Sequence, residues 1–106
     1  MLSENRAYIC RLLDIYGPAL SERRRDLADL YYNEDLSLAE ISENCGLTRQ
    51  GARDAIRRAV DELYALEKAL GFAAWNERIA GLANDIRQSG DIEEIRLLAS
   101  KITEEL

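Results

Sequence analysis

The sequence predicts an all-α fold built around a helix-turn-helix. The 106 residues include a single proline, Pro18, and six scattered glycines, so little interrupts helix formation. Apolar residues recur at helical spacing through most of the chain. The stretch from Ser37 to Leu63 has capping residues, a glycine turn and a second, longer helical pattern. With 47% hydrophobic residues, the chain can bury a core without disulfides or metals.

Two helices are predicted ahead of this motif. We expect the first from Glu4 to Tyr16, because Gly17-Pro18 ends the apolar pattern there. Ser21 is a suitable N-cap for a second helix that runs to about Tyr32. The residues expected on the inward faces are Tyr8, Ile9, Leu12, Leu13, Tyr16, Leu27, Leu30 and Tyr31.

The helix-turn-helix itself is predicted from two caps and the turn between them. Ser37 and Glu40 have the spacing of a capping box, which opens a short third helix that ends at Cys45-Gly46. Thr48 then caps a long fourth helix that continues to Gly71. Two helices held at a steep angle need a tight turn with an apolar plug, and Gly46 with Leu47 suits that role.

Residues 72–106 are predicted to form a helical extension of a single domain whose helix-turn-helix part is residues 1–71. A fifth helix follows Gly71 and is stopped by Ser89-Gly90, and Asp91 with Glu94 resembles a second capping box that opens a sixth. This extension and the fourth helix carry more apolar surface than a two-turn third helix can cover. We therefore expect a homodimer that uses part of this surface, the alternative being that the surface is the monomer's own core. The apolar residues of this surplus surface are Leu63, Leu66, Leu70, Trp75, Ile79, Leu82, Ile95, Leu98 and Ile102, and the helical pattern of the extension also includes Phe72, Ala83, Ile86, Ile92 and Ala99.

Charge limits where a polyanion could bind. The formal net charge is -6, which has the wrong sign for binding nucleic acid over the whole surface. The segment from Thr48 to Arg58, however, contains four arginines and one aspartate. Any contact with nucleic acid is therefore expected to be local, at the start of the fourth helix.

The candidate binding residues lie on that helix, where an exposed N-terminal end would enter a major groove. Arg49, Gln50 and Arg53 are candidate base readers, because arginine grips guanine and glutamine grips adenine with two hydrogen bonds. Arg57 and Arg58 suit phosphate contacts instead. The full candidate set is Thr48, Arg49, Gln50, Arg53, Arg57 and Arg58, with Arg23, Arg24 and Arg25 as further phosphate contacts.

Two features oppose this interpretation. The arginines could instead form a solvated face that is salt-linked to Asp54, Asp61 and Glu62. Gly51 lies inside the fourth helix, the candidate recognition helix, where glycine makes helix formation less favourable than alanine does by about 0.8–1 kcal/mol. Either backbone approaches closely at Gly51 or sequence specificity is weak.

Several functional classes are disfavoured. The chain has no histidine, and Cys10 and Cys45 are not in metal-ligand spacing, so we expect reduced, buried cysteines and no metal or other cofactor. No glycine-rich phosphate loop or nucleophile paired with a base indicates an enzyme. No segment has the roughly 20 apolar residues of a membrane span, so we expect a cytoplasmic protein without membrane insertion.

Four segments resemble two related groups, the fourth region of bacterial sigma factors and, more fully, the YlxM-type proteins associated with the signal recognition particle. The segments are Leu13–Pro18, Leu30–Ser42, Gly46–Asp54 and Leu70-Gly71, and beyond Gly71 only the helical pattern is similar. The resemblance implies a sigma-like helix-turn-helix without a wing, in a cytoplasmic bacterial protein. It places Thr48, Arg49, Gln50 and Arg53 at the groove-facing part of the reading helix. Gly51 departs from the sigma pattern, in which a long polar side chain is usual.

These observations predict a DNA-binding regulatory protein, with RNA as the other possible nucleic acid. The resemblance further implies an accessory role near the signal recognition particle pathway. The alternative is a protein-protein interaction module, in which the helix-turn-helix is a scaffold that binds a component of that particle or its RNA without reading DNA sequence.

Overall fold

The computed structural model describes residues 5–106, and this part of the chain contains six α-helices and no β-strand. The all-α prediction is confirmed, and Glu4, the predicted first residue of the first helix, lies outside the described residues. A short 3₁₀ turn, Gly17–Ala19, follows the first helix. The helices are α1 Arg6–Tyr16, α2 Glu22–Tyr32, α3 Leu38–Cys45, α4 Arg49–Leu70, α5 Phe72–Gln88 and α6 Ile92–Glu105.

The chain divides into two compact units at Gly71, Met1–Gly71 and Phe72–Leu106. In the first unit, α4 is the central helix, and α1, α2 and α3 all pack against it. This arrangement explains how a 22-residue helix is covered although α3 has only eight residues. Its core consists of side chains with almost no exposed surface, the largest being Ile9, Leu12, Ile41, Ile56 and Leu63.

The helix ends of the first unit follow the predicted caps. The Ser21 hydroxyl accepts a hydrogen bond from the Arg24 amide at 3.3 Å. Ser37 and Glu40 form the complete capping box, because each side chain binds the other residue's amide. Gly46 and Gly71 end α3 and α4 with left-handed φ angles of 66° and 68°, which glycine adopts without strain.

Tertiary packing corrects several expectations. Tyr32 is the buried tyrosine at the end of α2, whereas the predicted Tyr31 is only half-buried. Cys10 and Cys45 are free thiols but half-buried rather than core residues. Asp91 caps α6 through the Glu93 amide at 3.0 Å, and its own amide binds the Ser89 hydroxyl at 3.1 Å. The prediction that Asp91 and Glu94 form a second capping box was therefore wrong.

The second unit is a pair of helices, α5 and α6, packed on each other. Leu98 is its only buried residue, and α5 has none. Trp75, Ile79 and Leu82 are half-buried, because one neighbouring helix covers only one side of an apolar stripe. Other apolar residues of the predicted helical patterns are exposed, namely Leu70, Phe72, Ala83, Ile92 and Ala99.

None of the helices within residues 5–106 combines the length and apolar character that crossing a membrane requires.

Candidate nucleic-acid interface

The turn between α3 and α4 is closed by backbone hydrogen bonds and a side-chain cap. The Gly46 and Leu47 amides both donate to the Ser42 carbonyl, the latter at 3.0 Å. Thr48 is extended and caps α4. Ile41 is fully buried, as are Ala52 and Ile56 on α4, so the two helices meet through apolar side chains. The helix-turn-helix is thus fixed by its caps and by one buried anchor on α3.

The predicted arginines follow one another along the start of α4. Arg49 is the first residue of the helix, and Arg53 and Arg57 follow at intervals of four residues. A rise of 1.5 Å per residue places the ends of this arginine stripe about 12 Å apart along the helix axis. Arg49 and Arg57 are exposed and Arg53 is half-buried. The spacing is close to the width of the major groove of B-DNA, about 12 Å.

The arginines of α4 are not neutralised by acids in the described part of the chain. Within residues 5–106, no carboxylate lies in ion-pair distance of the guanidinium of Arg49, Arg53, Arg57 or Arg58. Of the acids expected as partners, Glu62 binds Arg24 and Asp54 accepts a hydrogen bond from Gln50 at 2.9 Å. The salt-linked face predicted as the alternative is therefore not formed by these residues.

Gln50 and Thr48 are partly engaged within the helix. One N–H of the Gln50 amide donates to Asp54, which leaves its second N–H and its carbonyl oxygen for another partner. The Thr48 hydroxyl accepts from the Gly51 amide at 2.9 Å and can still donate its own proton. Both side chains are exposed at the N-terminal end of α4, where the helix dipole also favours an anion.

Gly51 lies directly against the cap of its own helix. A Cβ added at this position would lie 2.9 Å from the Thr48 hydroxyl oxygen, which is closer than side chains normally approach. The sequence had left two alternatives at Gly51, a close approach of backbone or weak sequence specificity. The approaching atom is instead the oxygen that caps the helix.

The three arginines at the start of α2 have different surroundings. The Arg24 guanidinium donates to Glu62 on α4 at 3.2 Å and so joins two helices of the first unit. The Arg25 stem lies over Gly17, where an added Cβ would come within 3.6 Å of Arg25 Cδ. Arg23 lines an open groove of about 440 Å³ beside Glu22 and Asp26. The structure thus does not gather Arg23, Arg24 and Arg25 into one cationic surface.

One residue that supports the motif was missed in the sequence. Arg6, at the start of α1, donates to the Tyr31 carbonyl, to the Tyr32 carbonyl at 3.4 Å and to the Asp35 carboxylate at 2.9 Å. Asp35 has a left-handed φ of 60° in the turn that leads into α3. A cation on the last carbonyls of a helix also complements its dipole. Arg6 thereby stabilises the turn before the helix-turn-helix. No local sequence pattern predicts a contact between residues 29 positions apart.

The electrostatics of the capping groups follow from their hydrogen bonds. The Ser37 amide and hydroxyl both stabilise the charged Glu40 carboxylate, which lowers its pKa below the ordinary value of 4.5. Burial raises the pKa of Tyr32 to about 12. Across the described residues, 5–106, no three cysteine, aspartate or glutamate side chains come together as a metal site.

Comparison with known proteins agrees with this architecture. A UPF0122 protein of Symbiobacterium thermophilum is 41% identical over 83 residues, which cover 78% of either chain. One from Caldanaerobacter subterraneus is 35% identical over 81 residues, 76% of this chain and 69% of the relative. One from Clostridium kluyveri is 53% identical over 55 residues, 52% of this chain and 50% of the relative.

A family model that ascribes a helix-turn-helix to its members matches residues 3–102. This range includes α3 and α4 and most of the second unit. The chain therefore belongs to the UPF0122 family of YlxM / p13-like helix-turn-helix proteins.

Proposed function

We propose that the protein binds nucleic acid, with double-stranded DNA favoured over RNA, through the N-terminal face of α4. The observation that carries the proposal is the set of four arginines without carboxylate partners, on a chain whose net charge is -6. In a chain with this excess of acid, four unneutralised cations at the start of one helix are what a local anion-binding surface requires.

The positions along α4 divide the contacts into two kinds. Arg49 and Arg53 are nearest the turn and would enter the groove, where each arginine can grip the O6 and N7 atoms of a guanine. Arg57 and Arg58 would meet phosphates, as would the Thr48 hydroxyl. Gln50 would reach an adenine with the N–H and the oxygen that its bond to Asp54 leaves over.

The contribution of α2 is smaller in this proposal than the sequence suggested. Arg24 is held by Glu62, and Arg23 has acidic neighbours. Arg25 is exposed and has no acidic partner among the described residues, so it is the remaining candidate for an additional phosphate contact.

The biological role rests on the resemblance to YlxM-type proteins. We infer a cytoplasmic, non-catalytic regulatory or accessory protein of the signal recognition particle pathway. The alternative is a module that binds a component of that particle, or its RNA, by protein surfaces other than α4. The second unit favours the alternative, because several large apolar side chains lie on its surface, such as Leu97 with 59% of its area exposed.

The same apolar surface supports the homodimer that we propose. A two-helix unit that buries only Leu98 gains little from its own packing, and a second copy would complete a four-helix bundle. Leu98 itself is unsuitable for testing this idea, because a charge there would disrupt the contact between α5 and α6. The exposed Leu97 is the better position.

The double variant Arg49→Ala/Arg53→Ala tests the main proposal. We expect it to retain its helicity and oligomeric state and to lose affinity for duplex DNA. The matched control is Arg87→Ala/Arg96→Ala, which removes two exposed arginines from the second unit and changes the net charge equally. The assay is fluorescence anisotropy with a mixed-sequence duplex. Equal affinity of the two double variants would refute the assignment of α4 as the reading helix.

A further inference from the structure

A group of aromatic and cationic side chains lies further along α4, where α1 packs against it. The rings of Tyr8 on α1 and Tyr64 on α4 are 5.9 Å apart at their centroids and tilted by 44°. The guanidinium carbon of Arg11 lies 5.6 Å from the centre of the Tyr8 ring. We call these three residues the aromatic platform. All of them belong to the first unit.

The platform is not part of the buried core. Tyr64 has 39% of its surface exposed, Tyr8 is half-buried and Arg11 is exposed. The tyrosines that serve packing in this unit, Tyr16 and Tyr32, are each 4% exposed. Tyr64 therefore keeps surface available to solvent, and the Arg11 guanidinium lies over the neighbouring Tyr8 ring.

The platform continues the arginine stripe. Tyr64 follows Arg57 by seven residues, which is close to two full turns, so both side chains project from the same side of α4. The distance along the axis is about 10 Å, or roughly three nucleotides of one strand at 3.4 Å each. Lys68 follows Tyr64 by four residues, about one turn, and Asp61, between Arg57 and Tyr64, is the opposing charge.

An exposed tyrosine flanked by arginine, such as Tyr64 here, is a side chain on which an unpaired base can stack. Every base offers a flat π surface, so this contact depends little on sequence, and the guanidinium adds a cation for the backbone or the ring. A base inside a duplex is already stacked on its neighbours and cannot use such a surface. The aromatic platform therefore suits an unpaired base, whereas the arginine stripe suits a duplex.

We propose that Tyr8, Tyr64 and Arg11 bind an unpaired base that lies beside the duplex held by the arginine stripe. The ligand chemistry is a single-stranded nucleotide, from a DNA end or from an RNA loop or bulge, and beside an A-form RNA duplex the arginine stripe would contact phosphates rather than base edges. The combined site then recognises a junction between duplex and single strand. This inference rests on the proposed function for its duplex part only.

The test compares a blunt duplex with the same duplex carrying a single-stranded overhang, each made as DNA and as RNA. The overhang contains 2-aminopurine, an adenine analogue whose fluorescence is quenched when it stacks on an aromatic ring. We expect the overhang to strengthen binding about fivefold and its fluorescence to fall on binding. The nucleic acid that shows the larger gain identifies the source of the base.

Variants separate stacking from folding. Tyr64→Leu retains an apolar cover for α1 but lacks the ring, so it should lose the overhang gain and the quenching while binding the blunt duplex as before. Tyr64→Phe should retain both. Phe72→Leu is the aromatic control, since Phe72 is 49% exposed in the second unit, and it should change neither readout. Circular dichroism confirms that each variant is folded.

The outcomes distinguish the two proposals. If the protein binds the blunt duplex but the overhang neither strengthens binding nor loses fluorescence, the proposal for the aromatic platform is refuted and the proposal for the arginine stripe stands. Quenching that survives in Tyr64→Leu also overturns it. Tyr64-dependent quenching by a single strand, with no binding of the blunt duplex, supports the platform and refutes groove binding by the stripe. If neither probe binds, both proposals fail.

Discussion

The salt dependence of duplex binding gives a quantitative test of which arginines contact phosphate. Each phosphate contact to B-DNA steepens the slope of log K against log salt by about 0.9, because it releases condensed counterions. Arg57 and Arg58 are exposed and have no carboxylate partner among the described residues. We therefore expect Arg57→Ala to reduce the magnitude of the slope by about 0.9 and Arg57→Ala/Arg58→Ala to reduce it by about 1.8.

Arg24 provides the contrast, because its guanidinium is engaged by Glu62 at 3.2 Å. Arg24→Ala removes the same charge but no phosphate contact, so the slope should stay close to that of the unaltered protein. The measurement is a series of anisotropy titrations at salt concentrations between about 50 and 200 mM. The reasoning is refuted if Arg24→Ala flattens the slope as much as Arg57→Ala does, or if the double variant keeps the original slope.

Four further predictions concern the capping box, the packing of the first unit and the homodimer. Ser37→Ala should lower the free energy of unfolding by about 1 kcal/mol in chemical denaturation, as is typical when an N-cap is lost. Because the folded pKa of Glu40 lies below 4.5, its contribution is complete above pH 4.5 and is lost as the pH falls further, so the stability difference between the unaltered protein and Glu40→Gln should shrink in acid; a constant difference would contradict the bond from the Ser37 amide to the Glu40 carboxylate. Tyr32 ionises at about pH 12 when folded and near 10.0 when unfolded, so stability should fall as the pH rises through that window, and Tyr32→Phe should remove this fall and the late step in an ultraviolet titration. Ile41→Ala should destabilise the protein by about 2–5 kcal/mol, because it empties the buried anchor of α3, and a loss below about 1 kcal/mol would argue against that role. Leu97→Asp should convert a dimer into a monomer in sedimentation without loss of helicity, whereas an unaltered protein that is monomeric at high concentration would exclude the dimer.

Local sequence determined the helix ends of the first unit because caps act over three or four residues. The Ser37–Glu40 box, the Thr48 cap and the turn at Gly46 are all formed as their spacing predicts. The order and type of the helices follow from these caps together with apolar periodicity. The same reasoning failed for Asp91, because the Ser89 hydroxyl two residues away competes for its amide.

The position of the candidate arginines along α4 could be predicted from the sequence, but whether nearby carboxylates pair with them could not. The sequence placed the arginines on one side of α4 by their intervals of four residues. It left open whether Asp54 and Glu62 neutralise them, since several acids lie within reach along the helix. Packing of α2 on α4 brings Arg24 to Glu62, and Gln50 donates to Asp54, so two of the acids within reach of the α4 arginines are engaged by other side chains.

The sequence by itself determined that this chain is helical, that it carries a capped helix-turn-helix and that its cations concentrate at the start of one helix. These properties depend on residues only a few positions apart. Only the tertiary structure decided how α1 and α2 cover α4, that Arg6 holds the turn before α3, and that Tyr8 meets Tyr64 beside the arginine stripe. Those contacts join residues 29 to 56 positions apart, and their geometry depends on how the helices pack rather than on any local preference.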